Sequence, residues 1–208
     1  MERIGLFGGS FHPIHNGHLH LAHTAMEQLH LQHVIFVPAY CSPFKQKSAY
    51  TVSDAHRLAM CRLAVAGEPA FSVSDYELNR EQMSYTIDTI SHFQKQNPEA
   101  AFVLLMGSDM LLQFDHWYRY QEILQRVTLG VVSRDAADTE RIRQKQLELS
   151  QFGQIQIFCD AVLSVSSTKI REKLKKQEDC SCYLPRNVVQ YIQLHHLYQM
   201  GQESTSCD

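Results

Sequence analysis

The residues best suited to chemistry fall in two stretches far apart in the chain. The first is Gly8-Gly9-Ser10-Phe11-His12-Pro13-Ile14-His15-Asn16-Gly17-His18, directly after the apolar run Ile4 to Phe7. Two glycines at the end of a strand permit positive φ and let a ligand approach the main chain closely. If a helix starts near His18, its N-terminus carries about half a positive charge and several unpaired N–H groups, which together make an anion site. His15 and His18 are spaced to address one point from that helix start. Their ring N–H groups would donate to phosphate oxygens without a permanent charge. A tight turn decorated with histidines, or zinc held by three of them, would use the same residues. Zinc fits poorly, because His18, His20 and His23 do not share a helical face and no nearby carboxylate completes a set.

The second stretch is Val165-Ser166-Ser167-Thr168-Lys169-Ile170-Arg171. Hydroxyl residues before a helical pattern read as an N-cap. The same hydroxyls and N–H groups suit phosphate, with Lys169 adding charge and Arg171 a bidentate donor. Between the two stretches, Gly107 and Asp109 end the apolar run Phe102 to Met106, where a carboxylate could accept from ribose hydroxyls. Phe114 to Tyr118 holds the chain's one tryptophan, Trp117, beside Tyr118; such rings either enter the core or stack on a base for about 1–3 kcal/mol. Lys45, in the loop after Val34 to Val37, could neutralise a phosphate. Ser84 is placed to cap the helix after it, and His56-Arg57 reads as structural.

These groups need elements to hold them. Strand-like runs are Ile4 to Phe7, Val34 to Val37, Phe71 to Val73, Phe102 to Met106, Leu129 to Val132 and Ile155 to Phe158. Most are continuously apolar, as in parallel strands covered on both faces. Helical periodicity separates them: Leu19, Ala22, Met26 and Leu29; Ile87, Ile90 and Phe93; Val188, Tyr191, Ile192 and His195. Asp54 to Val65 and Thr139 to Leu149 read as further helices. The alternation predicts an α/β protein: a Rossmann-like open parallel sheet with helices on both faces and ligands beyond the carboxyl ends of its strands.

Composition sets the outer bounds. The chain has 208 residues, 44% of them hydrophobic, which suits one globular domain, expected over residues 1–200 with a polar, disordered tail at 201–208. A net charge of −3 argues against nucleic acid as a partner. No apolar run is long enough to cross a membrane, and Met1 to Phe7 lacks signal-peptide anatomy, so a soluble, cytoplasmic protein is expected. Six scattered cysteines fit neither a disulfide framework nor a zinc site.

The first stretch resembles the signature of the nucleotidyltransferase superfamily, a Gly-rich turn followed by His-x-Gly-His. Ser166 to Arg171 matches the Ser-Ser-Thr-x-Ile-Arg signature of the same proteins. Over nearly the whole chain the closer likeness is to bacterial nicotinate-nucleotide adenylyltransferases. That resemblance implies transfer of the adenylyl group of ATP to nicotinate mononucleotide, giving deamido-NAD and pyrophosphate in NAD biosynthesis. It implies that Gly8, Gly9, Ser10, Phe11, Gly17, Gly107, Asp109, Ser166, Ser167 and Thr168 bind ATP. His15, His18 and Arg171 would also bind it and act in catalysis. Lys45 would meet the mononucleotide phosphate, main-chain amides of Tyr85 and Thr86 its carboxylate, and Trp117 and Tyr118 its pyridine ring. Mg²⁺ would arrive with ATP, and no protein-held metal is expected. The chain departs from the family at His12, where aspartate is usual, at Phe44, where histidine is usual, and around Arg134, where Arg-Pro-Gly is usual. A sister enzyme using nicotinamide mononucleotide or phosphopantetheine, a non-catalytic nucleotide sensor and a histidine-rich metal binder stay open as alternatives, as do monomer and homodimer.

Overall fold

A computed structural model describes residues 1–41, 52–133, 139–159 and 165–199. Lys45, Phe44, Arg134 and the tail 201–208 lie outside the described residues. Among the described residues the strands are β1 (Arg3–Gly9), β2 (His33–Pro38), β3 (Phe71–Val73), β4 (Ala101–Gly107), β5 (Thr128–Ser133) and β6 (Ile155–Cys159). They form one parallel sheet in the order β3-β2-β1-β4-β5-β6. All six match the apolar runs of the sequence, each within two residues at either end.

Alternate residues of each strand feed different faces. Phe7, Val34, Phe36, Val103 and Leu105 join Leu21, Ala22, Ala25 and Leu29 of helix α1 (Asn16–Leu29) in one apolar cluster. On that face also lie α2 (Asp54–Val65), α8 (Ser167–Lys175) and α9 (Arg186–Leu194). Ile4, Leu6, Leu104, Met106, Leu129 and Val131 join Ile87, Ile90 and Phe93 of α4 (Thr86–Gln96) in the second cluster. It is shared by α6 (Tyr120–Arg126) and α7 (Thr139–Leu149). Two short helices, α3 (Tyr76–Asn79) and α5 (Ser108–Leu111), follow β3 and β4 at their carboxyl ends. Gly130 lets α1 close on the sheet, because a Cβ there would lie 2.7 Å from Leu29 Cδ1. The helix expected to include His195 ends at Leu194, with His195 as its cap. Packing nonetheless continues through Leu197 and Tyr198, both buried.

The strand order reverses between β1 and β4. There the chain leaves the sheet toward opposite faces and opens a crevice beyond the strand ends. Gly8 and Gly9 end β1 on one side of it, and Gly107 ends β4 on the other.

Candidate active site

The first turn is built around a core aromatic. Phe11 has φ 43° and is buried, with its ring edge-on to Phe7 at 5.5 Å and to His18 at 5.1 Å. Its side chain therefore supports the turn from below, and only its main chain is placed to meet a ligand. Gly9 lies against that ring: a Cβ there would come within 3.0 Å of it. Gly8 borders the crevice, and a Cβ there would meet nothing within 4 Å. Helix α1 starts two residues before His18, with His15 as N-cap. The His15 N–H donates to His18 Nδ1 at 3.2 Å, and the two rings stack with centroids 3.6 Å apart. A neutral His18 with Nδ1 accepting carries its proton on Nε2, as a donor. The pair is thus rigid before any ligand arrives.

The second turn packs directly on the first. Ser166 caps α8 by accepting from the Lys169 N–H at 3.3 Å. The Ser167 hydroxyl donates to Pro13 O at 2.9 Å, and an Arg171 terminal nitrogen donates to His12 O at 2.8 Å. A second Arg171 nitrogen reaches Thr168 Oγ1 at 3.3 Å. A guanidinium has five N–H groups, so these two bonds orient the fork and leave donors over. Gly17 explains how the turns come so close: a Cβ on it would lie 2.8 Å from Val165 Cγ1 and 3.1 Å from His15 Nδ1. Two segments about 150 residues apart in sequence therefore share one wall.

From this wall a cavity of about 610 Å³ crosses the ends of β1 and β4. Gly8, Gly9, Ser10 and His18 line one end, Gly107 and Asp109 the middle, and Tyr85, Thr86, Trp117 and Tyr118 the far end. Phe11, His15, Gly17, Ser166, Ser167, Thr168 and Arg171 stand behind or beside the first turn and do not line it. Gly107, not Asp109, is the N-cap of α5, so Asp109 sits in the first turn of that helix and borders the cavity. Trp117 is partly buried beside the second apolar cluster. Its ring packs on Phe114 at 5.0 Å and also forms cavity wall. Tyr118 is 58% exposed and leans on Tyr85, centroids 4.7 Å apart.

Ser84 does not cap α4; Tyr85 occupies that position and offers no side-chain cap. Ser84 instead accepts from the Tyr40 N–H at 3.1 Å, and its own N–H donates to Cys41 O at 2.9 Å. The Tyr85 N–H donates to Met83 O at 3.0 Å. The amides at the uncapped start of α4, beginning with Thr86, thus carry most of the anion-binding capacity at this end.

Two charged residues near the cavity have no counterpart among the binding residues read from the sequence. Arg57 is fully buried and donates to Ser10 O, Ala39 O and Asp54 Oδ1, each at 2.7 Å, clamping the first turn to the end of β2. Glu77 is buried in the cavity wall and accepts from Thr89 Oγ1 at 2.5 Å. Burial pushes its carboxyl above the usual range, opposed by hydrogen bonds from Thr89 and Ser84 and by the charges of Arg80 and Arg57. Arg57 sits in α2, and Glu77 in a four-residue helix too short to show a period, so periodicity marks neither buried charge.

The Cytidylyltransferase-like family matches residues 6–173 of the chain. A Clostridium tetani protein named "Probable nicotinate-nucleotide adenylyltransferase" is 38% identical over 202 residues, covering 96% of this chain and 100% of the relative. One of the same name from Lachnoclostridium phytofermentans is 34% identical over 200 residues, covering 95% and 100%. The chain belongs to the nicotinate-nucleotide adenylyltransferases of the cytidylyltransferase-like family. The fold agrees with that placement. The Plasmodium falciparum nicotinic acid mononucleotide adenylyltransferase complexed with NaAD superposes with a TM-score of 0.76 at 20% identity, over 95% of this chain and 98% of that one. Members of this family are nucleotidyltransferases, which generally use a divalent metal with ATP. Among the described residues no three His, Cys, Asp or Glu side chains are grouped to hold a metal ion, and no helix is long and apolar enough to cross a membrane.

Proposed function

We propose that the chain transfers the adenylyl group of ATP to nicotinate mononucleotide, releasing pyrophosphate and nicotinate adenine dinucleotide in NAD biosynthesis. The observation that carries this is one continuous cavity joining an anion-binding turn to a helix start framed by aromatic rings. Its volume, about 610 Å³, lies within the common range for small-molecule sites. The names of the full-length relatives support the same reaction.

The acceptor is already an anion at neutral pH, so its phosphate oxygen attacks the α-phosphorus of ATP without a general base. The new P–O bond forms as the bond to the β-phosphate oxygen breaks, and pyrophosphate leaves with the electron pair. Catalysis is then placement and charge stabilisation. In this reading Gly8, Gly9, Ser10 and His18 hold ATP from the β1 side, while Ser166, Ser167, Thr168 and Arg171 close on the triphosphate from α8. His15 fixes His18 through the stacked pair. Asp109 receives ribose hydroxyls, Trp117 and Tyr118 flank the pyridine, and Lys45 answers the mononucleotide phosphate. The turns offer hydroxyls, imidazoles and a guanidinium, with no carboxylate among them. That donor set fits Mg²⁺ held by phosphate oxygens and water. When bound, the ion neutralises charge on the leaving pyrophosphate. Phosphorylated substrates that do not cross membranes fit a cytoplasmic site of action.

Mass spectrometry of a reaction with ATP, Mg²⁺ and either mononucleotide tests the proposal. Nicotinate mononucleotide is expected to yield its dinucleotide and stoichiometric pyrophosphate, faster than nicotinamide mononucleotide does. His18→Ala is expected to lower kcat by about a hundredfold with little change in KM for the mononucleotide. ATP binding without pyrophosphate release, or preference for phosphopantetheine, would contradict the assignment.

A further inference from the structure

Glu77 is the buried charge that the proposed mechanism leaves unused. It comes from α3, yet its carboxyl accepts from Thr89 Oγ1 in the first turn of α4 at 2.5 Å, and the nearby hydroxyl of Ser84, just before that helix, eases its charge. Ser84 in turn accepts from the Tyr40 N–H at the end of β2. The Thr89 side chain therefore fastens α4 to the carboxylate that α3 carries, while Ser84 fastens the segment before α4 to Tyr40, just past β2. Glu77, Ser84, Tyr85, Thr86 and Thr89 all line the cavity at its far end.

The choice of a carboxylate has a physical reason. A carboxylate accepts at both oxygens and has no donor of its own, whereas a glutamine could turn an NH₂ toward the Thr89 hydroxyl. A surface tether would need no buried charge. Here the cost of burial is offset by both hydroxyls and by the charges of Arg80 and Arg57. Tyr85 and Thr86 lie between Ser84, held by the Tyr40 N–H and Cys41 O, and Thr89, held by Glu77, so both ends of the short segment that starts α4 are fixed.

We infer that Glu77 is a positioning residue for the mononucleotide: through Thr89 it aims the amides that open α4 at the acceptor's ring carboxylate. The inference rests on the proposed reaction and adds the residue that sets its acceptor preference. A group acting this way tunes acceptor binding and leaves the triphosphate end, across the cavity, as it was.

The test is steady-state kinetics of wild type, Glu77→Gln, Ser84→Ala and Thr89→Val, varying each substrate at saturating levels of the other, with Tm recorded for each. Glu77→Gln is expected to raise KM for nicotinate mononucleotide about tenfold and to narrow its advantage over nicotinamide mononucleotide, with kcat and KM for ATP within about twofold. Thr89→Val removes the donor to Glu77 and Ser84→Ala removes the acceptor of the Tyr40 N–H, and each is expected to raise the same KM several-fold. Combining Thr89→Val with Glu77→Gln is expected to add little, since both break one link. A fall in Tm with acceptor KM unmoved would overturn the inference and leave Glu77 a core group. A lower KM in Glu77→Gln would also overturn it, by showing that the charge repels the acceptor directly. Wild-type turnover separates the two levels: no dinucleotide from wild type refutes the reaction, whereas normal wild-type turnover with an indifferent Glu77→Gln refutes only this inference.

Discussion

At the scale of single residues, Arg57 shows how a charged side chain can shape a site without entering it. Its guanidinium gives Ser10 O and Ala39 O their partners at the point where the first turn meets β2. Asp54, the paired carboxylate, is 27% exposed, so losing the arginine does not strand a fully buried anion. It strands two carbonyls, each costing about 1–3 kcal/mol when unsatisfied. Arg57→Met is accordingly expected to lower the unfolding free energy by about 3 kcal/mol in urea titrations. Its residual activity would be limited by folded fraction first. A change below about 0.5 kcal/mol would show that the carbonyls find other partners. The residues meant to touch ligand were legible because glycines, hydroxyls and histidines at a strand end have few other uses in combination. Arg57 reads as structural from the sequence, and its buried clamp agrees. Glu77 was harder to read, since whether its charge is buried depends on how α3 docks, which no local pattern encodes. Gly17 was legible as part of a motif, but its reason, the approach of Val165, exists only once the two turns meet.

At the scale of elements, strands and helices followed hydrophobic period closely, because each is buried on a face that the period defines. Ends were less readable. Ser84 has the side chain of a cap, but its hydroxyl is taken by the Tyr40 N–H, and Tyr85 stands at the cap position. His15 caps α1 in place of a Ser, Thr, Asp or Asn, with His18 accepting its N–H. Histidines also tie elements together elsewhere. His33 on β2 pairs with Ser72 Oγ on β3 at 2.7 Å, and His56 on α2 with the Tyr191 hydroxyl on α9 at 2.9 Å. His92 on α4 stacks on Tyr76 of α3, centroids 3.7 Å apart. Burial lowers all three below the ordinary 6.5, assisted by His195 at His56 and by Arg80 and Lys95 at His92. A depressed histidine binds its proton more tightly in the unfolded chain. Stability is therefore present above the ordinary value and lost as pH falls through it toward the folded values. Tm is expected to drop between about pH 7.5 and about pH 5.5, and His56→Gln to flatten part of that slope. A Tm that rises on acidification across this interval would contradict the assignment.

At the scale of the whole molecule, the reversal of strand order between β1 and β4 does the placing. It opens the crevice where the glycine turn ends β1, and it carries the chain out over β5 and β6 to α8, whose Ser167 and Arg171 return to Pro13 and His12. The sequence made the alternating sheet readable, with the glycine-bearing and hydroxyl-bearing turns at its strand ends, and left the contact between those turns to be seen in the fold. The central claim is that both ends hold one triphosphate. A crystal structure with a non-hydrolysable ATP analogue tests it most directly. The account predicts the phosphates between Gly8 to Ser10 with His18 on one side and Ser167 with Arg171 on the other, and the base directed past Gly107 and Asp109. Phosphates lodged at the far end of the cavity, beside Thr86 and Trp117, with the α8 start untouched, would contradict it.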